Sequence, residues 1–201
     1  MKQIFSKENI LKAFRSFAWV AVLVFVVDIV SKWCVQNSLT ETDKVVIIPN
    51  FINVILAHNL GAAFSLGANG EIGWRIAFMM ISVIMSGVLI FVYTKYFKKF
   101  STIQKVSLML MTGGAIGNMI DRCFYWSAIV GFDGVIDWID FNGKFATFNI
   151  ADSALVIGVA ILIIVEVISM IQESIAKGKR GEYDVPPNEL ENKENGDNKG
   201  K

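Results

Sequence analysis

The sequence predicts an all-α membrane protein, with four transmembrane helices, a small β-sheet, and an outward-facing loop between the third and fourth helices. Three observations lead there. First, 54% of the 201 residues are hydrophobic and 18% are charged, whereas roughly a quarter of a soluble domain is charged. Second, the apolar residues are bunched into blocks, and a helix needs a run of about 20 such residues to cross a bilayer. Third, Lys and Arg gather in alternate connections between the blocks, the asymmetry that separates cytoplasmic from outward-facing loops.

The first helix is expected over about 13–35. Lys2, Lys7, Lys12 and Arg15, followed by the apolar run 17–27, also resemble a secretory signal. No small-x-small cleavage site follows; the chain continues as Asp28-Ile29-Val30-Ser31-Lys32-Trp33, so the helix is read as retained. Beyond it, residues 45–48 and 51–56 are apolar and β-branched runs around Pro49-Asn50, a hairpin signal. The stretch His58-Asn59-Leu60-Gly61-Ala62-Ala63-Phe64-Ser65 is rich in small residues that suit close backbone approach. The second helix, about 74–96, is the cleanest, because Ile76 to Thr94 carries no charge. The third, about 105–122, is short and holds Gly113, Gly114 and Gly117, small residues of the kind that let membrane helices pack closely. The fourth runs over about 152–171. Together these place a membrane domain at 1–175, followed by a Lys-, Glu-, Asn- and Gly-rich tail, 176–201, that reads as a disordered cytoplasmic extension.

Orientation follows from the basic residues. The N-terminal segment has Lys2, Lys7, Lys12 and Arg15, the second connection between helices has Lys95, Lys98, Lys99 and Lys105, and the C-terminal segment opens with Lys177, Lys179 and Arg180. The other two connections hold Lys44 in one, and Arg122 and Lys144 in the other. Both termini are therefore expected in the cytoplasm, with 36–73 and 121–151 facing outward. A formal net charge of +1 gives no electrostatic ground for a nucleic-acid partner. Cys34 and Cys123 make no CxxC or metal pattern, and each is read as a small hydrophobe rather than half of a disulfide. His58, the single histidine, cannot build a histidine metal site by itself.

Two Asn-x-x-Asp pairs stand at the edges of apolar segments: Asn118-Met119-Ile120-Asp121, followed by Arg122, and Asn149-Ile150-Ala151-Asp152. Between them lie Asp133, Asp137 and Asp140. Carboxylates beside hydrocarbon lose several kcal/mol of solvation unless something replaces it, so their recurrence points to carboxylate chemistry. Two carboxylates in contact share one proton; one then acts as base on a water while the other polarises a carbonyl. Symmetry nominates Asp121 with Asp152, while Asp133, Asp137 and Asp140 stay open as partners. The plainer readings are an N-cap for Asp152, where a helix N-terminus favours negative charge, and an interfacial ion pair for Asp121 with Arg122. Asp28 and Lys32, four apart in the first helix, share one face and can pair. A small proton-coupled transporter would also place Asp, Asn and Lys among membrane helices, but with inverted repeats and polar residues at mid-membrane.

The residues resemble the bacterial lipoprotein signal peptidases (signal peptidase II). The likeness runs from Asp28 to Ser153, through Asp28-x-x-Ser31-Lys32, Asn59-x-Gly61-Ala62-Ala63-Phe64, Gly113-Gly114-Ala115-x-Gly117-Asn118-x-x-Asp121-Arg122, Val135-Ile136-Asp137 and Phe148-Asn149-x-Ala151-Asp152-Ser153. It implies an intramembrane aspartyl protease of the inner membrane, with its site near the outer face. Its substrates would be prolipoproteins already carrying diacylglycerol, cut just before the lipidated cysteine. The resemblance implies Asp137 and Asp152 as the catalytic pair. Asn118, Asp121, Arg122 and Asn149 would support them, and Asn59, Gly61, Asp28 and Lys32 would shape the outer pocket. It makes 45–56 part of a sheet that cradles substrate, implies membrane lipids as surroundings and a monomer, and calls for no metal or cofactor. The stretch 123–134 is longer than the family pattern, and its aromatic content suits the membrane interface.

Overall fold

A computed structural model describes residues 16–61, 72–124 and 134–179. Helix α1 spans Ala18–Ser38, strands β1 and β2 span Lys44–Ile48 and Ile52–Asn59, and helices α2 and α3 span Ile72–Tyr96 and Thr102–Phe124. Strand β3 is Val135–Asp140 and helix α4 is Ile150–Lys179. Among the described residues the protein is thus mostly helical rather than all-α, with four helices and a three-stranded antiparallel sheet in the order β1-β2-β3. The motif residues Ala62, Ala63 and Phe64, Asp133, most of the 123–134 stretch and the tail from Arg180 lie outside the described residues. By its contacts the chain divides into residues 1–162 and 163–201, and the site described below belongs to the first unit. In the second, the turns of α4 from Ile163 to Lys179 carry a Glu173–Lys177 pair at 2.7 Å.

Helices α1, α2 and α4 are long and apolar enough to cross a membrane. The first two carry polar residues on their buried faces. Helix α1 buries Val20, Val24, Asp28 and Lys32, one residue every four, which is a single stripe on a helix of 3.6 residues per turn. Its exposed residues include Val22, Leu23, Val26, Val27, Val30 and Trp33. Helix α2 buries Phe78, Ser82, Ser86, Leu89 and Tyr93 and exposes Ile81, Ile84, Val88 and Phe91. Helix α3 is not among the three candidate spans. It packs against both α1 and α2 and buries polar and small residues: Ser107, Thr112, Gly113, Gly114, Gly117, Asn118 and Asp121. A helix sheltered by its neighbours does not need the apolar surface that lipid demands.

Small residues set how near the helices come. A side chain at Gly114 would collide with the backbone carbonyl of Ala151 on α4, and one at Gly117 would come within 2.6 Å of the Asp28 carboxylate. The core nearby is Val20, Leu89, Tyr93, Leu108, Met109 and Ala115, closed off by the Tyr93 hydroxyl donating to the Ser16 carbonyl.

The hairpin expected around Pro49-Asn50 is present, with Asn50 in the left-handed region (φ 60) and Val45 paired with Val54. The third strand was not expected. It sets Asp137 opposite Ala57 and Val135 opposite Asn59, so Asn59 and Asp137 are same-face diagonal neighbours. Phe148 then pairs with Ile139, its amide donating at 3.1 Å and its carbonyl accepting from Ile139 at 2.8 Å. That clip delivers the chain to the start of α4 directly beside Asp137. The last helix also begins earlier and runs further than the apolar segment, from Ile150 to Lys179. Cys34 is exposed and Cys123 half-buried, and both are free thiols.

Candidate active site

The second Asn-x-x-Asp motif forms the first turn of α4. Asn149 precedes the helix, and its side-chain Oδ1 accepts from the Asp152 amide at 2.9 Å. In return, Asp152 Oδ2 accepts from the Asn149 amide at 3.3 Å. This is a reciprocal capping box, in which two backbone donors that a helix start leaves open satisfy each other's side chains. A third open donor, the Ala151 amide, is taken by Asp28 Oδ1 from α1 at 2.9 Å. Capping occupies one oxygen of Asp152; the other, Oδ1, accepts from Asn118 Nδ2 of α3 at 2.7 Å.

Asp137 is 2% exposed. Its Oδ2 accepts from Asn59 Nδ2 at 2.9 Å and its Oδ1 from Asn149 Nδ2 at 2.7 Å. Burial first, and then the nearby Asp152 charge, push its carboxyl from an ordinary 3.8 up to about 7; the two amide donors and the Lys32 charge pull the other way. A carboxyl in that range exchanges its proton readily at neutral pH.

Three asparagines thus serve two carboxylates, and the orientation of each amide is fixed by an obligate donor at its oxygen. Asn59 Oδ1 accepts from the Gly61 amide at 3.0 Å. Asn118 Oδ1 faces the Lys32 ammonium at 3.2 Å and Asn149 Nδ2 at 3.1 Å. Asn149 Oδ1 is held by the Asp152 amide. Because an ammonium and a backbone N–H cannot accept, each NH2 must point the other way, toward Asp137 or Asp152. Asn149 Nδ2 also lies 3.3 Å from the Ile136 carbonyl. With two hydrogens for three acceptors, its bond to Asp137 is one of a competing set.

Beneath this layer Lys32, 1% exposed, lies 2.6 Å from Asp28 and 2.7 Å from Asp121, both fully buried. Asp121 therefore pairs across to α1 rather than with its neighbour Arg122. Arg122 Nη1 donates to Ser82 Oγ on α2 at 2.8 Å, with its guanidinium 5.8 Å from the Phe78 ring centre. Asp140 lies elsewhere: its oxygens accept from the Gly143 amide at 2.8 Å and Asn53 Nδ2 at 2.9 Å, donors that hold its carboxyl below the usual range. His58 bonds Glu41 and Gln36, at 2.7 and 3.0 Å.

Of the residues singled out from sequence, Asp28, Lys32, Asn59, Gly61, Asn118, Asp121, Asp137, Asn149 and Asp152 fall in one connected network, and Arg122 borders it on the α2 side. Ser82 was missed. Its signal was available, since Arg75, Ser82 and Ser86 are spaced to lie on one face of an otherwise apolar helix. The clip at Phe148 left no signal, being a backbone contact.

A bundle of apolar helices closed around buried, amide-tethered carboxylates defines a membrane protein whose chemistry runs on aspartate. Comparison with known proteins makes the class specific. The family described as Signal peptidase (SPase) II matches residues 20–168. Over 149 residues the chain is 40% identical to the lipoprotein signal peptidase of Pseudomonas paraeruginosa, covering 72% of this chain and 83% of that protein. It is 38% identical over 150 residues to the lipoprotein signal peptidase of Coxiella burnetii, covering 73% and 86%. A bacterial membrane enzyme solved by the in meso method at 2.3 Å superposes with a TM-score of 0.64 at 31% identity, covering 77% of this chain and 88% of the other. The chain belongs to the signal peptidase II family and is an aspartic peptidase. A transporter, the other class its polar residues admitted, is thereby set aside.

Proposed function

We propose that the protein removes signal peptides from diacylglyceryl-modified prolipoproteins, cutting before the lipidated cysteine, with Asp137 and Asp152 as the catalytic pair. The observation that carries the assignment is the single residue joining them: Asn149 donates to Asp137 and accepts from the backbone of Asp152. The other carboxylates of the network are committed, Asp28 and Asp121 to Lys32 and Asp140 to its own turn.

The signal helix of the substrate enters from the lipid. A groove of about 450 Å³ along α4, lined by Phe148, Val156 and Ile157 and ending at Asp152 and Ser153, suits the acyl chains. One water lies between the two carboxyls. Asp152 takes its proton as the oxygen attacks the scissile carbonyl, and Asp137 gives its proton to the carbonyl oxygen. The resulting diol collapses: one hydroxyl returns a proton to Asp137, Asp152 protonates the leaving nitrogen, and the C–N bond breaks. The pair ends as it began. The charge pattern of the connections supports an inner-membrane protein with both termini cytoplasmic and this site near the outer face.

The test is cleavage of a lipidated prolipoprotein by the purified protein. Asp137→Asn and Asp152→Asn are each expected to lower turnover by at least about 10³-fold, the scale on which catalytic groups acting as a unit are lost. Normal cleavage by Asp137→Asn would overturn the assignment.

A further inference from the structure

At the end of α3 away from the aspartates, α2 turns into α3 through residues 97–101. About 24 Å of helix, at 1.5 Å per residue, separates Thr102 from Asn118. The turn and the helix ends around it carry Lys95, Lys98, Lys99 and Lys105, and no Asp or Glu occurs between Glu71 and Asp121. Lys95, Lys98 and Lys99 are exposed and Lys105 is half-buried. Three of the four ammoniums rest on rings. Lys95 Nζ lies 5.1 Å from the Phe91 ring centre and 5.4 Å from that of Tyr96, Lys99 Nζ 5.7 Å from Tyr96, and Lys105 Nζ 4.3 Å from Phe97. The rings brace one another, Tyr93 on Phe97 at 5.5 Å and Tyr96 on Phe100 at 6.4 Å. A ring face steadies an ammonium without cancelling its charge, and none of the four lysines has a carboxylate partner among the described residues. Ser101 and Gln104 close the start of α3 as a capping box, each side chain accepting from the other's amide at 3.3 and 2.8 Å, and the helix start adds its own positive field.

Topology alone does not call for this arrangement. The bias that orients membrane helices counts Lys and Arg, and acidic residues weigh little in it. Lysines paired with carboxylates would serve it equally, as Lys177 is paired with Glu173 at 2.7 Å. Here the ammoniums are gathered without a counter-ion, and like charges held together repel until an anion joins them. Beside them Ile90, Phe91 and Ile103 are exposed, so the patch has an apolar rim as well as a charge. We propose that this turn is a binding site for the phosphate headgroup of an anionic phospholipid, with Lys98 and Lys99 as its principal ligands and Lys95 and Lys105, set by their rings, completing the cationic field. A free anion meets the charge but not the rim, whereas a lipid satisfies both, its acyl chains lying along Ile90, Phe91 and Ile103. The bound lipid ties α2 to α3, the pair that Arg122 joins again at Ser82. Its effect is therefore on the stability of the bundle and not on the chemistry at Asp137 and Asp152, and the inference does not depend on the proposed activity.

The test places the full-length protein in nanodiscs of phosphatidylcholine, with or without phosphatidylglycerol, and reads thermal unfolding together with native mass spectrometry of the lipid retained. The wild type is expected to unfold at a higher temperature when phosphatidylglycerol is present and to retain it in preference to phosphatidylcholine. A lysine at an anionic surface strengthens binding about fivefold. Lys98→Gln with Lys99→Gln should therefore lower the preference about 25-fold, while Lys98→Arg with Lys99→Arg keeps it. Removing the same charge from the C-terminal basic stretch, by Lys177→Gln with Lys179→Gln, should leave the preference within about twofold of the wild type, since screening confines the effect of a surface charge to its neighbourhood. Equal losses in the two Gln pairs would assign the effect to bulk charge and overturn the site. A wild type that does not distinguish the two lipids, or Arg variants that lose the preference as the Gln variants do, would overturn it too. So would inorganic phosphate reproducing the thermal shift in phosphatidylcholine discs, because the ligand would then be the ion and not the lipid.

Discussion

Asp137 shows what burial does to one carboxyl. With its ionisation held up at about 7, it carries the proton that the proposed mechanism needs at neutral pH and loses it as pH rises. We expect kcat/KM on a lipidated substrate to fall along an alkaline limb near pH 7, measured between pH 5 and 9. The same shift acts on stability. The folded protein binds more protons than the unfolded chain between about pH 4 and pH 7, so this residue makes stability decrease as pH rises through that window. Lys32 is the complementary case. Lys32→Met leaves Asp28 and Asp121 buried without a counter-charge, and breaking a buried pair in this way costs about 3–5 kcal/mol. It also removes one of the two donors that hold the Asn118 amide in its orientation toward Asp152. Thermal unfolding in detergent should show the stability loss, and activity per folded molecule should fall as well.

At the scale of elements, the site depends on how closely α3 approaches α4. Gly114 sits against the Ala151 carbonyl with no space for a Cβ, one turn before Asn118 and one residue before Asp152 on the facing helix. Gly114→Leu is expected to part the helices, break the bond between Asn118 and Asp152, lower the melting temperature by several degrees, and remove activity. An unchanged Tm would show that the contact is not needed. Sequence reading located α1 and α2 well because lipid-facing surface is written as apolar composition. It placed the hairpin because Pro49-Asn50 punctuates it. It missed β3 as a strand because Val-Ile-Asp-Trp-Ile-Asp repeats every three residues, which is neither the period of a strand nor that of a helix. It ended α4 too soon because Gln172, Glu173, Ser174 and Lys177 continue the helix while leaving the apolar register. It paired the two Asn-x-x-Asp motifs as equivalents, yet one ends a helix and the other caps one. That difference lies in tertiary placement and not in spacing.

For the whole molecule, the arrangement of polarity is that of a protein dissolved in lipid. Val22, Leu23, Ile84, Phe91, Val156 and Ile163 are exposed, whereas Asp28, Lys32, Asp121 and Asn149 are buried almost completely. Orientation can be checked directly. With Cys34 and Cys123 replaced, a cysteine at Asn142 should react with a membrane-impermeant maleimide in intact spheroplasts, and one at Lys98 only after lysis. The reverse labelling pattern would invert the topology read from the basic residues.

The ammonium of Lys32, where α1 meets α3, ties together charges from separate parts of the chain. Helix α1 carries Asp28 and Lys32 one turn apart, and α3 carries Asp121 next to Arg122, so each brings one charge of either sign to this layer. In the assembled protein Lys32 keeps Asp28 and adds Asp121, Asp28 also reaches the amide of Ala151 on α4, and Arg122 donates to Ser82 on α2. Because Asn149, Ala151 and Asp152 all belong to the start of α4, the network is complete only when that last helix is in place.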